Sequence, residues 1–224
     1  KRDRQGFWMA DKIISHQIIV AGIGPRNTAY MVPEAVQAIE KAQVLVGGKR
    51  ALAQFAVSEA GKQKTMAIGG DIPAVMDFIG ENLSQHNVVV MVSGDPGYYS
   101  LLDALRRSFP QEVIQVIPGI SSFQLAFARL ALPWHEAELL SFHGRVPAEG
   151  KLIYSKGRLL GMLTDSKYNS HTISELLMER GWPSEAELAI CSRLSYEDEA
   201  IVKTTLGQAG NLPVQGNCVL VVIG

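Results

Sequence analysis

VVVMVSGDPGYYSLLDALRRSFPQEVIQVIPGISS, residues 88–122, contains the strongest signals of the fold class. It contains two apolar runs, 88–92 and 113–117, and each leads directly into a turn that contains glycine. Between them, residues 98–108 have the apolar spacing of a helix. A strand, a helix and a second strand form a βαβ unit, whose crossover connection requires parallel strands. The sequence therefore predicts two neighbouring parallel strands whose turns lie at the ligand-binding edge of an open α/β sheet.

A third turn of this kind follows a strand signal at residues 13–23. The turn reads GIGPRN over residues 22–27 and is similar to the start of the dinucleotide fingerprint GxGxxG. Asn27 stands where the third glycine would be, and Pro25 removes a backbone N–H from the place where a pyrophosphate needs donors. These two residues disfavour NAD or FAD at this turn.

Composition and charge exclude several classes of protein. Hydrophobic residues make up 47% of the 224 positions and charged residues 19%, which indicates a folded chain rather than a disordered one. The net charge of −1 provides no general attraction to nucleic acid or to an anionic membrane. No apolar run approaches the roughly 20 residues that cross a bilayer, and the polar N-terminus lacks the apolar segment of a secretory signal. We therefore expect a cytoplasmic protein that binds neither nucleic acid nor membrane.

Cysteine and histidine positions do not support a metal site. Cys191 and Cys218 each lie in an apolar, strand-like run, which favours buried thiols over a disulfide or a metal-binding pair. The five histidines show no spacing of the HxxxH type. The sequence therefore predicts no bound metal.

The balance of strands and helices changes after about residue 134. Strands alternate with helices before this point, as in a parallel sheet, and outnumber helices after it. We therefore predict two α/β domains, an N-terminal parallel-sheet domain over residues 13–134 and a C-terminal mixed-sheet domain over residues 135–224. Residues 1–12 are interpreted as an extension, either native or added, with Met9 as an alternative start.

Three motifs carry a resemblance to a known family. GIGP at 22–25, SGDP at 93–96 and PGISSFQLAFARLALPW at 118–134 each follow a predicted strand, in this order. With these motifs the chain resembles the tetrapyrrole methylases over residues 16–223. The resemblance implies the tetrapyrrole methylase fold, in which two α/β domains bind S-adenosylmethionine in the cleft between them, and it implies a homodimer.

Two further motifs resemble the branch of this family that methylates carbon 5 of precorrin-7, or of its cobalt complex, in cobalamin biosynthesis. They are GGKR at 47–50 and SFHGR at 141–145. The resemblance implies an S-adenosylmethionine-dependent C-methyltransferase with a corrinoid acceptor. In other organisms this enzyme is fused to a decarboxylating methyltransferase. Because the present sequence ends at Gly224 without such a domain, we expect that activity in a separate partner.

The resemblance also implies which residues contact the methyl donor. In the N-terminal domain they are Gly24, Pro25, Ser93, Gly94, Asp95, Tyr98, Ser121 and Ser122. In the C-terminal domain they are Leu163, Thr164 and Leu194, which we expect to act through their backbone. Asp95 is also a catalytic candidate, because its charge would favour the cationic donor; the alternative is that it caps its own turn. If Tyr98 and Tyr99 both begin a helix, only one of them can face the donor.

Acceptor binding calls for cations, because a corrinoid carries a fringe of carboxylates. The candidates are Arg26, Arg50, Arg129 and Arg145, although each also fits an ordinary surface position and Arg129 also fits a structural ion pair. His143 is the catalytic candidate for accepting or moving a proton during methylation at carbon. The alternative is that His143 is a structural histidine.

Two other classes of function stay open. A methylase of the same fold would act on another acceptor, such as another precorrin position or the diphthine precursor on a protein. A non-catalytic subunit would bind a tetrapyrrole, or hold the separate methyltransferase, without using S-adenosylmethionine. The intact glycine turns argue against the second alternative.

Overall fold

The computed structural model describes the chain over residues 16–25, 28–56 and 63–224. Within these ranges the chain divides into two compact units, one that ends at Ser121 and one that begins at Ser122. Each unit contains a five-stranded sheet, one parallel and one mixed. The predicted α/β class, with one sheet of each type, is confirmed.

The predicted domain boundary and the compact units differ in their treatment of residues 122–134. The prediction places this segment with the N-terminal domain, whereas its contacts group it with the second unit. Its helix packs against the last strand of that unit. The limits of the domains stay a prediction.

The first unit alternates strands and helices. Its strands are β1 (Ile18–Gly22), β2 (Val44–Gly47), β3 (Lys64–Ala67), β4 (Val88–Val92) and β5 (Ile114–Ile117). Its helices are α1 (Pro33–Glu40), α2 (Lys49–Phe55), α3 (Ile72–Asn82) and α4 (Leu102–Ser108). The strands are parallel throughout and lie in the order β3-β2-β4-β1-β5.

The apolar run of β4 is explained by helices on both faces of this sheet. All five residues, Val88–Val92, are buried. Val90 packs in a core shared with Ile79 of α3, whereas the next residue, Met91, packs in a separate core shared with Ile39 of α1. Successive strand residues point to opposite faces, so a strand that is covered on both faces must be apolar at every position.

The predicted neighbour relationship between β4 and β5 is wrong. β1 lies between them, with Val20 paired to Val90 on one side and to Val116 on the other. The crossover through α4 therefore passes over one strand before it returns to the sheet. As a consequence, the turn after β1 lies between the turns after β4 and β5.

Helix α4 begins later than the apolar spacing predicted. Tyr99 has a φ of +47°, which is incompatible with a right-handed helix. The hydroxyl of Ser100 accepts a hydrogen bond from the backbone N–H of Leu102 at 3.1 Å and so supports the first turn. Residues 98–101 consequently form a turn between the SGDP motif and the helix.

The second unit has more strands than helices. Its strands are β6 (Glu138–Ser141), β7 (Leu159–Leu163), β8 (Glu187–Ser192), β9 (Ala200–Thr205) and β10 (Val219–Ile223), and its helices are α5 (Ser122–Leu130) and α6 (Ser170–Met178). They form a sheet in the order β6-β7-β10-β8-β9, in which β6 and β7 are parallel and the other pairs are antiparallel. On one face, Met162 of β7 packs in a core with Ile173 of α6. Under α5, Gly161 lies close enough to Phe127 that a Cβ would approach the ring to 3.0 Å.

Candidate functional site

Three bends lie at the carboxyl edge of the first unit's sheet. They are residues 22–25, which begin at the last residue of β1, 93–97 after β4 and 118–121 after β5. The backbones of Gly24 and Gly94 exchange two hydrogen bonds, with N···O distances of 3.3 and 3.0 Å. The prediction that the turns of this sheet gather at one edge is confirmed.

Glycine is required where these bends touch. A Cβ atom on Gly22 would lie 2.7 Å from Cα of Gly119 and 2.9 Å from the carbonyl oxygen of Gly94, which is closer than real atoms approach. Gly94 itself has a φ of +69°, in the left-handed region. A Cβ on Gly94 would meet its nearest atom, Cα of Ser121, at 3.7 Å. The junction of the three bends, residues 22–25, 93–97 and 118–121, is therefore built from backbone atoms. It leaves space beside Gly94.

The carboxylate of Asp95 connects the second bend to the third. Its Oδ1 accepts a hydrogen bond from the N–H of Gly97 at 2.8 Å, and its Oδ2 accepts one from the N–H of Gly119 at 3.0 Å. The first bond matches the interpretation that Asp95 caps its own turn. The second links bends 24 residues apart and was not predicted. The attraction of Asp95 for a cationic donor stays a prediction.

The two tyrosines after the SGDP motif differ in environment. Tyr98 is half-buried, and its N–H donates to the carbonyl of Asp95 at 3.3 Å, which fixes it to the second bend. Tyr99 is 58% exposed. The two rings form a T-shaped pair with centroids 4.8 Å apart. Tyr98 therefore belongs to the junction, whereas Tyr99 faces solvent.

The remaining described candidates of the first unit are Pro25, Ser93 and Ser121 in the bends and Arg50 in helix α2. Pro25 and Ser121 are half-buried, and Ser93 is exposed. Arg50, the last residue of the GGKR motif, is exposed in the first turn of α2. Arg26 lies outside the described residues, so its predicted role in acceptor binding stays a prediction.

In the second unit, the side chain of Thr164 joins the ends of β7 and β10. Its Oγ1 accepts a hydrogen bond from the N–H of Cys218 at 2.9 Å and donates to the carbonyl of the same residue at 3.1 Å. Thr164 is only 1% exposed. The carbonyl of Leu163 accepts from the N–H of Phe142 at 2.9 Å. The hydroxyl of Thr164 is thus structural, and a backbone contact of either residue with the donor stays a prediction.

The SFHGR motif leads from Ser141, the last residue of β6, through the buried Phe142 into an exposed turn. His143, Gly144 and Arg145 are all exposed. Gly144 has a φ of +68°, which glycine adopts without strain. Because β6 and β7 are parallel and Ser141 pairs with Leu163, this turn and the turn after β7 lie at the same edge of the sheet.

Asp165 holds these two turns together, and sequence reasoning did not single it out. Its Oδ2 accepts a hydrogen bond from the N–H of Gly144 at 2.7 Å. Its Oδ1 accepts from the N–H groups of Lys167 at 2.8 Å and Tyr168 at 2.7 Å. These backbone donors, Gly144 first, and the nearby His143 hold the pKa of Asp165 below its usual range. The available sequence signal is an aspartate directly after a strand, where such residues commonly cap turns.

Leu194 lies in a tight turn after β8. It is 8% exposed, and its neighbours Arg193 and Ser195 both have positive φ, +55° and +69°. The guanidinium of Arg193 bonds to the carboxylate of Asp198 at 3.0 Å and lies 4.1 Å from the ring centroid of Tyr196. The predicted donor contact of Leu194 stays a prediction.

Arg129 forms an ion pair with Glu199, with Nε and Oε1 2.5 Å apart. The N–H of Ser195 donates to the other carboxylate oxygen at 2.7 Å. The bond from Arg129, followed by that from Ser195, lowers the pKa of Glu199. This pair is the structural alternative considered for Arg129. Ser122, a predicted donor contact, is the half-buried first residue of the same helix, α5.

Both cysteines are buried free thiols. Burial raises the pKa of Cys191 to about 12 and also raises that of Cys218, so neither is activated as a nucleophile. Over residues 16–25, 28–56 and 63–224, no group of three or more His, Cys, Asp or Glu side chains is arranged to hold a metal ion.

The family model for Tetrapyrrole (Corrin/Porphyrin) Methylases matches residues 17–210. The chain belongs to the tetrapyrrole methylase family. Among its relatives in this family, the cobalt-precorrin-7 C(5)-methyltransferase of Salmonella typhimurium is 34% identical over 184 residues, which cover 82% of this chain and 88% of the relative. The family predicted from the three glycine motifs is confirmed.

Solved structures of tetrapyrrole methylases share this fold. The precorrin-6Y methylase of Archaeoglobus fulgidus aligns with a TM-score of 0.65 and 24% identity over 94% of this chain and 97% of that one. The uroporphyrin-III C-methyltransferase of Thermus thermophilus, complexed with S-adenosylhomocysteine, aligns with a TM-score of 0.71 and 18% identity over 92% and 91%. At these identities the likeness establishes the fold, and the predicted tetrapyrrole methylase fold is confirmed.

One cavity of this tetrapyrrole methylase lies away from the predicted site. It has a volume of about 440 Å³, opens in the second unit beside the end of α5, and is lined by residues that include Leu132, Ala189, Thr204 and Val221. It contains none of the predicted site residues. In the part of the chain that the structure describes, none of the helices has the length and apolar character needed to span a bilayer.

Proposed function

We propose that this chain is an S-adenosylmethionine-dependent methyltransferase that methylates carbon 5 of precorrin-7, or of its cobalt complex, in cobalamin biosynthesis. The observation that carries this proposal is the 34% identity, over 82% of the chain, to the Salmonella enzyme named for that reaction. The motifs SFHGR and GGKR, which resemble the same branch of the family, agree with it.

The junction of the three bends suits a methyl donor. Its contact points are glycines, and the space beside Gly94, where an added Cβ would meet its nearest atom at 3.7 Å, lets a ligand approach the backbone closely. We assign donor contacts to the surface of Gly24, Gly94 and Ser121, with Ser93 and Tyr98 at its margin. S-adenosylmethionine supplies an electrophilic methyl group bonded to a sulfonium sulfur, and loss of this methyl group leaves a neutral thioether.

The chain's part in this reaction is mainly to hold and orient. Because the leaving group is neutral, no anion develops on sulfur that the protein must stabilise. Positioning the reactants and excluding water then account for the greater share of catalysis. The hydrogen bond from Gly119 to Asp95 serves this role, because it holds two bends of the donor site in register.

Methylation at carbon 5 also requires a proton to leave, since a methyl group replaces a hydrogen on that carbon. We assign this proton to His143, which lies exposed on the turn after β6. The exposed guanidinium groups of Arg50 and Arg145, together with Arg26, are assigned to the carboxylates of the acceptor. Arg129 is assigned a structural role because of its ion pair.

The homodimer and the separate decarboxylating methyltransferase stay predictions from the family resemblance, and the cytoplasmic location stays a prediction from the composition of the sequence. The proposal covers both forms of the ring, with and without cobalt.

The test is incubation with S-adenosylmethionine labelled with ¹³C in its methyl group and with precorrin-7, in parallel with and without cobalt. NMR of the product is expected to place one new methyl group on carbon 5. A methyl group on another carbon would identify a different acceptor position. No transfer to either ring would overturn the proposal.

His143→Gln tests the proton acceptor in the same assay, and we expect slower turnover. His135→Gln is the matched control, since His135 is also an exposed histidine of the second unit and interacts with Glu136. It is expected to leave turnover unchanged. Equal rates for both variants would remove His143 from the mechanism.

A further inference from the structure

The turn that carries His143 has its backbone held at three successive residues. The N–H of Phe142 donates to the carbonyl of Leu163 at 2.9 Å. The N–H of His143 donates to the hydroxyl of Ser141 at 3.3 Å, and the N–H of Gly144 donates to Asp165 at 2.7 Å. An exposed turn is usually mobile, so three consecutive bonds indicate that this turn is held in one conformation.

The bond from Gly144 is the one that closes the turn. The bond from Phe142 extends the pairing of β6 with β7, and the bond from His143 stays within the motif. The bond to Asp165 instead connects residues 21 apart in the sequence. It also involves a carboxylate, and charge-assisted hydrogen bonds are roughly twice as strong as neutral ones.

Asp165 is itself held in place by residues outside the turn that carries His143. Its Oδ1 accepts hydrogen bonds from Lys167 and Tyr168, and its own N–H donates to the carbonyl of Tyr168 at 3.0 Å. The ring of Tyr168 packs against the ring of the fully buried Phe142, with centroids 5.9 Å apart. The carboxylate is therefore a rigid support and not a flexible surface charge.

We propose that Asp165 is a positioning residue that fixes the turn of residues 142–145 and thereby sets the placement of His143 and Arg145 for methylation of the acceptor. Asp165 follows Leu163 and Thr164 directly, so it connects that strand end to the turn. A proton acceptor must lie within hydrogen-bond reach of its target, and a displacement of about 1 Å in such a group costs on the order of 100-fold in rate. This inference rests on the proposed function.

Asp165→Asn tests the role with little change in shape. The amide of asparagine has one acceptor oxygen, so it keeps either the Gly144 bond or the Lys167 and Tyr168 bonds, but not both. We expect kcat for methylation of precorrin-7 to fall about tenfold, with S-adenosylhomocysteine affinity within twofold of wild type. We also expect faster hydrogen exchange at the Gly144 amide.

Glu185→Gln is the matched control, because it neutralises another carboxylate of the second unit that bonds to a neighbouring hydroxyl, that of Ser184. Its kcat is expected to equal that of wild type. Gly144→Ala is the second variant, because it strains the turn at φ +68° while it leaves the carboxylate intact, and it is expected to lower kcat with donor affinity unchanged.

The outcomes separate this inference from the proposed function. A wild-type kcat for Asp165→Asn, with a more rapidly exchanging Gly144 amide, would overturn the inference alone. An equal loss of donor affinity and kcat in both Asp165→Asn and Gly144→Ala would also overturn it, since the role would then be structural. Absence of methyl transfer by the wild-type chain would instead overturn the proposed function, and with it the positioning role of Asp165.

Discussion

The Asp95 carboxylate accepts a hydrogen bond from the backbone N–H of Gly119 at 3.0 Å, across 24 residues of sequence. Its second oxygen accepts from Gly97 within its own turn. One side chain therefore fixes both the shape of the SGDP bend and its distance from the PGISS bend. The donor site proposed for this methylase depends on that connection.

Asp95→Asn is predicted to weaken binding of S-adenosylhomocysteine by about tenfold while the chain stays folded. Asparagine replaces one of the two acceptor oxygens by an amide donor, so one of the two backbone bonds is lost. A hydrogen bond to a charged group contributes about 1.5–3 kcal/mol, and about 1.4 kcal/mol corresponds to a tenfold change in affinity. Calorimetric titration measures the change.

The matched control for this variant is Asp103→Asn. Asp103 is an exposed aspartate in the first turn of α4, in the same unit. Its affinity for S-adenosylhomocysteine should equal that of wild type. If Asp95→Asn bound as tightly as this control, the bond between Asp95 and Gly119 would have no role in donor binding.

Gly119→Ala is predicted to destabilise the first unit by about 1–3 kcal/mol, which is the usual cost of overpacking. The added Cβ would lie 2.8 Å from Cα of Gly22 and still closer to the carbonyl oxygen of Gly94, and backbone atoms cannot give way as a flexible side chain does. Urea unfolding measures the loss. Gly70→Ala is the control, because a Cβ there meets no atom within 4 Å. Equal stability of the two variants would contradict the close packing of the bends.

Thr164→Val is predicted to lower the free energy of unfolding of the second unit by about 1–3 kcal/mol. Valine keeps the shape of threonine but leaves the buried N–H of Cys218 without the oxygen it now bonds at 2.9 Å. Thr164→Ser retains that oxygen and is expected to lose less stability, despite its missing methyl group. A larger loss in the serine variant would show that packing, and not the hydrogen bond, joins these strand ends.

The contribution of Glu199 to the free energy of unfolding is predicted to disappear in acid. Arg129 and the N–H of Ser195 depress the pKa of Glu199 in the folded chain below its ordinary value of 4.5. A depressed folded pKa means that the stabilisation is fully present above the unfolded pKa, and is lost as the pH falls through the folded pKa. At pH 7 we expect a contribution of about 1 kcal/mol, which is below that of a buried charged hydrogen bond because solvent screens this partly exposed pair.

Urea unfolding of wild type and Glu199→Gln at pH 7 and near pH 3 measures this effect. The difference in unfolding free energy between the two proteins should shrink at the lower pH. A difference that is constant with pH would mean that the Glu199 charge does not stabilise the fold.

The sequence was sufficient where the structural signal is local. The run Val88–Val92 predicts a strand buried on both faces, because each of its five positions must be apolar. Glycine turns at strand ends likewise predict where a parallel sheet binds ligands. These two signals are sufficient to locate the three bends.

The order of strands was not predictable from the same signals. A strand, a helix and a strand imply a parallel crossover, but the length of the crossover does not determine whether it passes over a third strand. The insertion of β1 between β4 and β5 depends on nonlocal packing. The start of α4 was missed for a different reason, since the left-handed residue Tyr99 interrupts an otherwise helical apolar spacing.

Side-chain roles required the structure because their partners are distant in sequence. Asp165 acquires its role only when β6 pairs with β7 and brings Gly144 within reach. Arg129 could be a surface cation or half of an ion pair until Glu199, 70 residues later, is placed beside it. The spacing of residues along the chain indicates neither the contact of Asp165 with Gly144 nor that of Arg129 with Glu199.

An NMR titration of the isotope-labelled wild-type chain with S-adenosylhomocysteine tests the donor site most directly. We expect the amide resonances of Gly24, Gly94 and Gly119 to shift together and to saturate with one affinity. Shifts confined to the cavity of the second unit, at Ala189 and Thr204, or no shifts at millimolar ligand, would contradict it.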